Sequence, residues 1–220
     1  MFSKFILAAA FAFASTAAAA DPIGIVSVID GDTLRMENGD VVCLNGIDAP
    51  EMAQKCDGPK VLRNCGVVAA DALAERVAGK AIRCDGHEVD QYDRLIATCF
   101  VDESDIGEWM VTQGYAMAFV RYSDRYSAQE AAARSEGRGL WQTSLQPPWE
   151  YRAARWNVAE GDAPDGCPIK GNINRKGERI YHTPWGSRDY GRTKVDTSKG
   201  DRWFCSEREA VDAGWRAPLR

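Results

Sequence analysis

Three carboxylates fall in two short segments that each adjoin an apolar run. Asp32 lies in Asp30-Gly31-Asp32, whereas Asp48 and Glu51 lie in Asp48-Ala49-Pro50-Glu51. Carboxylates gathered against their mutual repulsion tend to hold a hard cation, and ligand sets made only of oxygen favour calcium or magnesium. Asp-Gly-Asp is also common in solvated turns. The residues alone therefore leave open a cation site and a set of turn acids.

A predicted hairpin brings the two segments together. Residues 23–29 and 33–36 have the pattern of strands, Glu37-Asn38-Gly39-Asp40 is typical of a two-residue type I′ turn, and residues 41–47 return. With that turn, positions whose numbers sum to 77 face each other, so Asp32 lies opposite Asn45 and Leu34 opposite Cys43. Alternation then puts these four side chains on one face and Arg35 on the other.

The remaining pattern indicates a small barrel with helices. A helix is predicted from about Gly66 to Ala78, a strand pair at 81–84 and 95–101, and two more helices at 105–113 and about 127–136. Five short strands, with a helix between the third and fourth and others after the fifth, are the order of an oligonucleotide-binding (OB) fold. The predicted class is α+β, with a five-stranded OB-fold-type β-barrel.

The N-terminal residues 1–20 have the composition of a signal peptide. Lys4 supplies a positive start, residues 5–16 are apolar, and Ala18 to Ala20 form a small-residue cleavage site before Asp21. No later stretch approaches the roughly 20 apolar residues of a membrane helix. We expect a periplasmic or secreted protein that has no membrane contact after signal removal. An uncleaved anchor is the alternative.

Charge divides the rest of the chain into unequal parts. Residues 21–166 hold 14 Lys and Arg against 25 Asp and Glu, whereas residues 167–220 hold 12 against 7. Residues 158–166, rich in Gly, Asp and Pro, resemble a linker. The predicted division is a domain at 21–157, a linker at 158–166 and a small basic module at 167–220. A basic module can attract a polyanion at long range, but its charge can also be incidental.

Seven cysteines in an exported chain suggest disulfides, because that compartment is oxidising. Cys84 and Cys99 lie on the two strands of one predicted pair. Cys56 and Cys65 lie nine residues apart within one predicted loop, and a bridge between them would constrain that loop. A bridge between Cys167 and Cys205 would stabilise the small C-terminal module. These pairings leave Cys43 over. A catalytic thiol or a zinc site is not predicted, because the two histidines, His87 and His182, have no supporting motif.

Three linked motifs resemble the signatures of the staphylococcal nuclease (thermonuclease) family. They are Val28-Ile29-Asp30-Gly31-Asp32-Thr33, Leu44-Asn45-Gly46-Ile47-Asp48-Ala49-Pro50-Glu51 and Asp90-Gln91-Tyr92-Asp93-Arg94-Leu95. Gly139-Leu140-Trp141 is similar to the family's end-of-domain motif, and the likeness spans about residues 22–152. Three motifs in order are more specific than any one of them.

The resemblance implies a nuclease that hydrolyses DNA and RNA phosphodiester bonds with one calcium ion. Asp32 and Asp48 match its carboxylate ligands, and the backbone carbonyl of Ala49 matches its main-chain ligand. Glu51 matches the glutamate that activates water, and Arg94 matches an arginine that contacts the scissile phosphate. Metal and guanidinium would neutralise charge that grows on the phosphoryl oxygens. Beside these, Tyr92 can bind substrate by stacking or hydrogen bonding, or simply pack.

Two positions depart from the family pattern. Cys43 stands where the family has a second arginine, and a thiol carries no fixed positive charge with which to clamp a phosphate. Asp93 stands where the family usually has glycine before its arginine. Lys60 or Arg63, in the loop after the second motif, can be imagined as substitutes for the missing arginine. These departures support an alternative function, a catalytically impaired nuclease fold that binds nucleic acid or another polyanion, or a structural envelope module.

The C-terminal module resembles an extension found on some exported nucleases of this family. The similarity rests on Cys167-Pro168-Ile169-Lys170-Gly171-Asn172-Ile173-Asn174, on residues 180–184 and on residues 203–207. Basic residues alternate here with aromatic ones, which suits phosphate contact and base stacking. A minimal aromatic core explains the same residues, namely Tyr181, Trp185, Tyr190, Trp203 and Phe204. The expected partner is DNA or RNA as substrate, and no protein partner is predicted.

Overall fold

The computed structural model describes residues 23–187 and 189–218. The predicted signal peptide, residues 1–20, lies outside the described residues. Between residues 23 and 118, the described chain forms nine strands, of which seven belong to one sheet. Their bounds are β1 Ile23–Gly24, β2 Val26–Val28, β3 Thr33–Met36, β4 Val41–Leu44, β5 Ile47–Asp48, β6 Ile82–Val89, β7 Leu95–Val101, β8 Ser104–Asp105 and β9 Met117–Ala118.

The large sheet has the strand order β1-β6-β7-β4-β3-β2, with β8 added to β7. The end strands β1 and β2 are separated only by Ile25, so a single segment of chain pairs with both edges of a curled sheet. The ladder is interrupted at this point and the sheet is not closed by continuous hydrogen bonds. Strand β4 pairs in parallel with β7, and the other pairs of this sheet are antiparallel. This architecture confirms the predicted α+β class and OB-type arrangement.

The β3–β4 register differs from the prediction by one residue. Thr33 pairs with Cys43 and Leu34 with Val42, because the turn has three loop residues, with Gly39 in the left-handed region at φ 95°. The backbone N–H of Met36 donates to the Asp40 carbonyl and closes this longer turn. The predicted facing of Leu34 with Cys43 is therefore wrong. Leu34 and Val42 point into the core, and Cys43 shares the other face with Arg35.

Three helices pack around the barrel, at α1 Cys65–Val77, α2 Ile106–Thr112 and α3 Ser127–Ser135. Helix α2 begins where Asp105 accepts a hydrogen bond from the Glu108 backbone, the usual role of an N-cap aspartate. The fully buried side chains of these helices meet the inward side chains of the strands, and together they form one apolar core. Among its members are Leu34, Val42, Leu73, Ile82, Ile106, Met110 and Leu140.

A fourth helix, α4, runs from Pro148 to Asp162. It begins with proline in its first turn, where the missing backbone N–H costs nothing. Trp149 stacks on Phe119 with ring centroids 5.6 Å apart, and this contact attaches the start of the helix to the barrel. The sequence pattern did not predict this helix, and it continues into residues 158–162, the first part of the segment predicted as a linker.

The C-terminal residues form a small module with its own core. Three antiparallel strands, β10 Ile169–Ile173, β11 Arg179–His182 and β12 Arg202–Phe204, have the order β11-β10-β12, and a short helix α5 spans Glu207–Asp212. Tyr181 and Phe204 are buried in this core, whereas Trp185, Tyr190 and Trp203, which the aromatic-core interpretation also included, are not part of it. Its other buried members are Ile169, Ala210 and Trp215.

Disulfides join Cys56 to Cys65, Cys84 to Cys99 and Cys167 to Cys205, and Cys43 is free. These are the three pairs that the sequence predicts. The Cys84–Cys99 bridge lies across the directly paired positions of β6 and β7. Within the described ranges, the structure has no helix long and apolar enough to cross a membrane.

Candidate active site

The first two motifs meet through a backbone hydrogen bond to a carboxylate. Asp32 accepts from the Ala49 N–H at its Oδ2, at 2.7 Å, and from the Thr33 hydroxyl at its Oδ1, at 2.9 Å. Strand β5 pairs with β9, and its Asp48 lies opposite Met117. The pairing fixes the backbone of the Asp48 segment against the barrel, and Asp32 then holds Ala49 directly.

Gly31 makes this close approach possible. A methyl group added at Gly31 would lie 2.6 Å from the Ala49 side chain and 2.8 Å from that of Ala69 on α1. Any larger residue would push the Asp32 segment away from the Asp48 segment. The glycine of the first motif and the alanine of the second are therefore complementary in shape.

Glu51 is held by a buried glutamine and by the start of α1. The Gln54 side chain accepts from the Glu51 N–H at 3.2 Å and donates to the Gln146 carbonyl at 2.8 Å. Gly66 packs directly on the Glu51 carbonyl, so that a methyl group at Gly66 would overlap that oxygen. Because the Cys56–Cys65 disulfide ends one residue before Gly66, it fixes the same contact.

Arg152 of α4 enters this carboxylate cluster. Its Nη1 and Nη2 lie 3.0 Å and 2.7 Å from Oδ1 and Oδ2 of Asp48, and Nη1 is also 2.9 Å from Oε1 of Glu51. The side chain of Asp48 is only 4% exposed, and that of Glu51 is 15% exposed. Sequence reasoning missed Arg152, because nothing in the motifs points to a helix about a hundred residues later.

Burial and mutual repulsion perturb the acids of the cluster. Burial raises the pKa of Asp48 to about 6 and that of Glu51 to about 7, and the Arg152 guanidinium opposes both shifts. The charge of Asp32 contributes to raising each of them. Burial and the charges of Asp32 and Glu51 raise the pKa of Asp30 as well. The structure therefore brings together the three predicted acids, Asp32, Asp48 and Glu51, with Asp30 beside them.

The third motif forms the turn that precedes β7. Arg94 is held by Asp90, whose Oδ2 accepts from Nε at 2.7 Å and pairs with Nη2 at 2.7 Å. The guanidinium also lies 5.2 Å from the centroid of the Tyr92 ring. Asp93 has φ 60°, the left-handed conformation in which glycine costs least, and its side chain points to solvent. Asp93 therefore supports the turn that a glycine would make.

Cys43 lies next to Arg94. Leu95, which follows Arg94, pairs with Val42 across the parallel β4–β7 ladder, and Cys43 pairs with Ile96. Burial raises the pKa of the Cys43 thiol to about 12, although the Arg94 charge opposes the shift. The thiol is thus neutral at physiological pH. Lys60 and Arg63 are exposed and form no ion pair with any residue that the structure describes, so nothing places them at Cys43.

Tyr92 is half-buried beside Arg94. Its hydroxyl accepts a hydrogen bond from Gln91 Nε2 at 2.7 Å, and burial raises its pKa. The Arg94 guanidinium lies over one face of the ring. The predicted role of Tyr92 in binding substrate stays a prediction.

The C-terminal module packs over the same site. Arg208 of α5 donates to the Gln91 carbonyl at 2.8 Å, and Arg155 of α4 donates from Nε to the Pro184 carbonyl at 3.1 Å. A methyl group at Gly186 would lie 3.6 Å from Oε2 of Glu51. Burial raises the pKa of Glu207 while the Arg94 charge lowers it. The module therefore contributes a carboxylate and a loop to the surroundings of Arg94 and Glu51.

The chemistry of the donors suits a hard divalent cation, since the cluster offers carboxylate and carbonyl oxygens. Several of these oxygens already accept hydrogen bonds from the protein itself. Both oxygens of Asp48 accept from Arg152, and one oxygen of Asp32 accepts from Ala49. In the part of the chain that the structure describes, no three side chains of His, Cys, Asp or Glu are grouped as a ready metal site. The donor set fits calcium only if Arg152 moves away from Asp48.

Known proteins resemble this chain over its barrel. A family model described as staphylococcal nuclease homologue matches residues 41–143. The succinoglycan biosynthesis protein ExoI of Rhizobium meliloti is 36% identical over 156 residues, which cover 68% of this chain and 80% of that protein. An uncharacterized endonuclease of Haemophilus influenzae is 30% identical over 143 residues, covering 61% of this chain and 75% of its own length.

A probable staphylococcal-like nuclease of rice is 32% identical over 117 residues, and the match covers 52% of this chain but only 33% of the rice protein. The family model covers the second and third motifs, which contain Asp48 and Arg94, and the match to the Rhizobium protein covers most of both chains. On these sequence similarities, this chain belongs to the staphylococcal nuclease homologue family.

Proposed function

We propose that the protein is a calcium-dependent nuclease that hydrolyses phosphodiester bonds of DNA or RNA. The observation that carries the proposal is the contact of Asp32 with the Ala49 N–H, which joins two acidic motifs beside Glu51. Relatives named as a probable nuclease and as an endonuclease match 52% and 61% of this chain. The names of these relatives describe their own activity. We propose the same activity for this chain because of its acidic cluster.

Asp32, Asp48 and the Ala49 carbonyl are the proposed ligands of one calcium ion. The ion, when bound, would neutralise negative charge on the phosphoryl oxygens. Glu51 is the proposed general base, since a carboxylate whose pKa is near 7 can accept a proton from water at neutral pH. Its backbone is fixed by Gln54 and Gly66, which keeps the carboxylate beside Asp48.

Arg94 is the proposed phosphate clamp. Asp90 holds its guanidinium from one side through Nε and Nη2, and Nη1 has no hydrogen-bond partner among the residues that the structure describes. A guanidinium fixed in this way loses little conformational entropy when it binds a phosphate oxygen. Tyr92 supports Arg94 through its ring and is the proposed contact for substrate at the edge of the site.

Export is also part of the proposal. It rests on the signal-peptide pattern of residues 1–20 and on three disulfides, which persist in oxidising compartments. The proposed location is the periplasm or the medium, and the proposed partner is a nucleic acid substrate.

A second candidate function is binding of a polyanion without useful turnover. The observation that favours it is the neutral thiol of Cys43 at the position of the family's second arginine. One relative is named for succinoglycan biosynthesis. That name is compatible with a function of this fold other than hydrolysis of nucleic acid. A purely structural envelope module is the outcome if neither cleavage nor binding is found.

The test is cleavage of denatured DNA and of RNA by the mature protein, with calcium and with chelator. Calcium-dependent cleavage that Glu51→Gln lowers by about a hundredfold supports the proposal. The matched control is Glu75→Gln, which removes an exposed carboxylate of α1 and should leave the rate unchanged. Retention of DNA without cleavage would replace hydrolysis by the binding function. Absence of both would leave the structural module.

A further inference from the structure

Arg152 is a cation already present in the acidic cluster. Its two terminal nitrogens engage both oxygens of Asp48, and Nη1 is shared with Glu51. Two-point contacts of guanidinium with carboxylate are the strongest ion pairs that side chains form. Because Asp48 is almost fully buried, solvent screens this pair weakly.

Arg152 lies on α4, and contacts before and after it hold this part of the helix in place. Trp149, one turn before it, stacks on Phe119 of the barrel, and the ring of Trp156, one turn after it, lies 5.8 Å from that of Trp185 in the C-terminal module. The backbone of Arg152 is therefore held in place. Its side chain is 29% exposed, so that the guanidinium can leave Asp48 by rotation of its own bonds.

A divalent cation bound by Asp48 would need the oxygens that Arg152 uses. It would also place two like charges within a few ångströms of each other, in a region of low dielectric where their repulsion is strong. Binding of the two cations to Asp48 is for this reason mutually exclusive or strongly antagonistic.

We propose that Arg152 is a tethered cation that occupies the carboxylate site of the calcium-free protein and competes with a divalent cation for Asp48 and Glu51. The inference rests on the proposed function, since Asp48 is taken there as a calcium ligand. It goes beyond that function, because it assigns to α4, outside the segment that matches the family, control over the affinity of the site. In the calcium-free protein, the Arg152 guanidinium holds the carboxylates of Asp48 and Glu51. Calcium binds by displacing that guanidinium.

The test is calcium affinity, measured by calorimetry on the full mature chain. Arg152→Gln should bind calcium at least about tenfold more tightly than the unchanged protein, because the competitor is gone. Arg152→Lys should lie between the two, since an ammonium keeps the charge but loses the two-point contact. The matched control is Arg155→Gln, which removes the same charge from the same helix but contacts a carbonyl instead of a carboxylate. It should change the affinity by no more than about twofold, because Arg155 is exposed and its charge is screened by solvent.

Equal affinities of Arg152→Gln and Arg155→Gln would overturn the inference, as would weaker binding by Arg152→Gln or no calcium binding by any form. If Arg152→Gln does not fold without calcium, the unchanged protein provides the test. NMR signals of the Arg152 guanidinium should be protected from solvent exchange without calcium and lose that protection at saturating calcium. Unchanged protection at saturation would contradict the exchange.

These measurements also separate the two proposals. Tighter calcium binding by Arg152→Gln, with no cleavage by any form, would keep the tethered cation and refute hydrolysis. Calcium-dependent cleavage by the unchanged protein, with the same calcium affinity in Arg152→Gln, would keep hydrolysis and refute the tethered cation.

Discussion

Arg152 and Asp48, 104 positions apart in the chain, are joined by a two-point ion pair in which Nη1 and Nη2 of the arginine lie 3.0 Å and 2.7 Å from the two carboxylate oxygens. The pair makes α4 part of the site, although the family match ends at residue 143. A buried carboxylate without its cation is costly, because neither water nor another donor replaces the lost charge.

Arg152→Gln should therefore destabilise the calcium-free protein by about 2 to 3 kcal/mol, the low end for loss of one partner of a buried ion pair, because the Arg152 side chain is 29% exposed. The measurement is urea unfolding in chelator. Arg155→Gln is the control and should cost under about 1 kcal/mol, since it removes one hydrogen bond to a carbonyl. Equal losses in the two variants would mean that the pair with Asp48 adds nothing to stability.

Cys43→Arg should raise the rate of DNA cleavage by about tenfold or more. The new guanidinium would lie on the strand position beside Arg94 and supply a second positive charge for the phosphate. Cys43→Ser, which adds no charge, should leave the rate within about twofold. Rates are compared at saturating calcium and substrate. No gain in Cys43→Arg, with the fold intact by circular dichroism, would show that the missing arginine does not limit turnover.

Gly66→Ala should lower the free energy of unfolding by about 2 kcal/mol or more, because its methyl group would overlap the Glu51 carbonyl oxygen and force α1 away from the loop. Gly161→Ala is a matched control on α4, where an added methyl group meets nothing within 4 Å. That change should instead stabilise the helix by about 0.5 to 1 kcal/mol. Thermal unfolding of both variants decides between overlap and simple helix propensity.

Much of the barrel follows from the sequence, because strand length and turn residues fix the order of its elements. The Cys84–Cys99 bridge is predictable since its residues lie on the two strands of one hairpin. The β3–β4 register is not, because Glu37-Asn38-Gly39-Asp40 suits a two-residue or a three-residue loop, and one residue of difference reverses every side chain. Only the hydrogen bond from Met36 to Asp40 selects the longer loop.

The acidic half of the candidate site is also predictable, since Asp32, Asp48 and Glu51 lie within one hairpin and the loop that follows. Arg152 is not, because its contact depends on how α4 docks, and no local pattern reports docking. Pro147 and Pro148 are the one signal that could have been used, as proline favours the first turn of a helix. The position of Glu207 over Arg94 is hidden for the same reason.

The C-terminal module should lose stability in mild acid through His182. Its Nε2 and Nδ1 lie 2.9 Å and 2.8 Å from Asn172 Oδ1 and Ser187 Oγ, and burial lowers its pKa, helped by Lys170 and opposed by Asp189. A histidine whose folded pKa is below its unfolded value stabilises the fold above about pH 6.5.

That stability is lost as the pH falls through the lowered folded pKa, because the unfolded chain then binds more protons. Thermal unfolding between about pH 7.5 and pH 5 should show a smaller loss in His182→Gln than in the unchanged protein, since glutamine does not titrate. Parallel curves for the two proteins would assign the acid sensitivity to other groups.

Glu207→Gln should strengthen binding of single-stranded DNA by about threefold to tenfold at low salt. Glu207 is held by the Tyr181 hydroxyl at 3.0 Å and lies within electrostatic range of Arg94, so its charge offsets the cation proposed to meet the phosphate. Asp212→Asn removes the same charge from the exposed end of α5, where Arg208 is its partner, and should change affinity by less than about twofold. The gain in affinity should shrink as the salt concentration is raised, because salt screens both the attraction of Arg94 for the phosphate and the opposing charge of Glu207. If Glu207→Gln binds DNA no better than Asp212→Asn, then the module's carboxylate does not oppose substrate, and its role over Arg94 is structural.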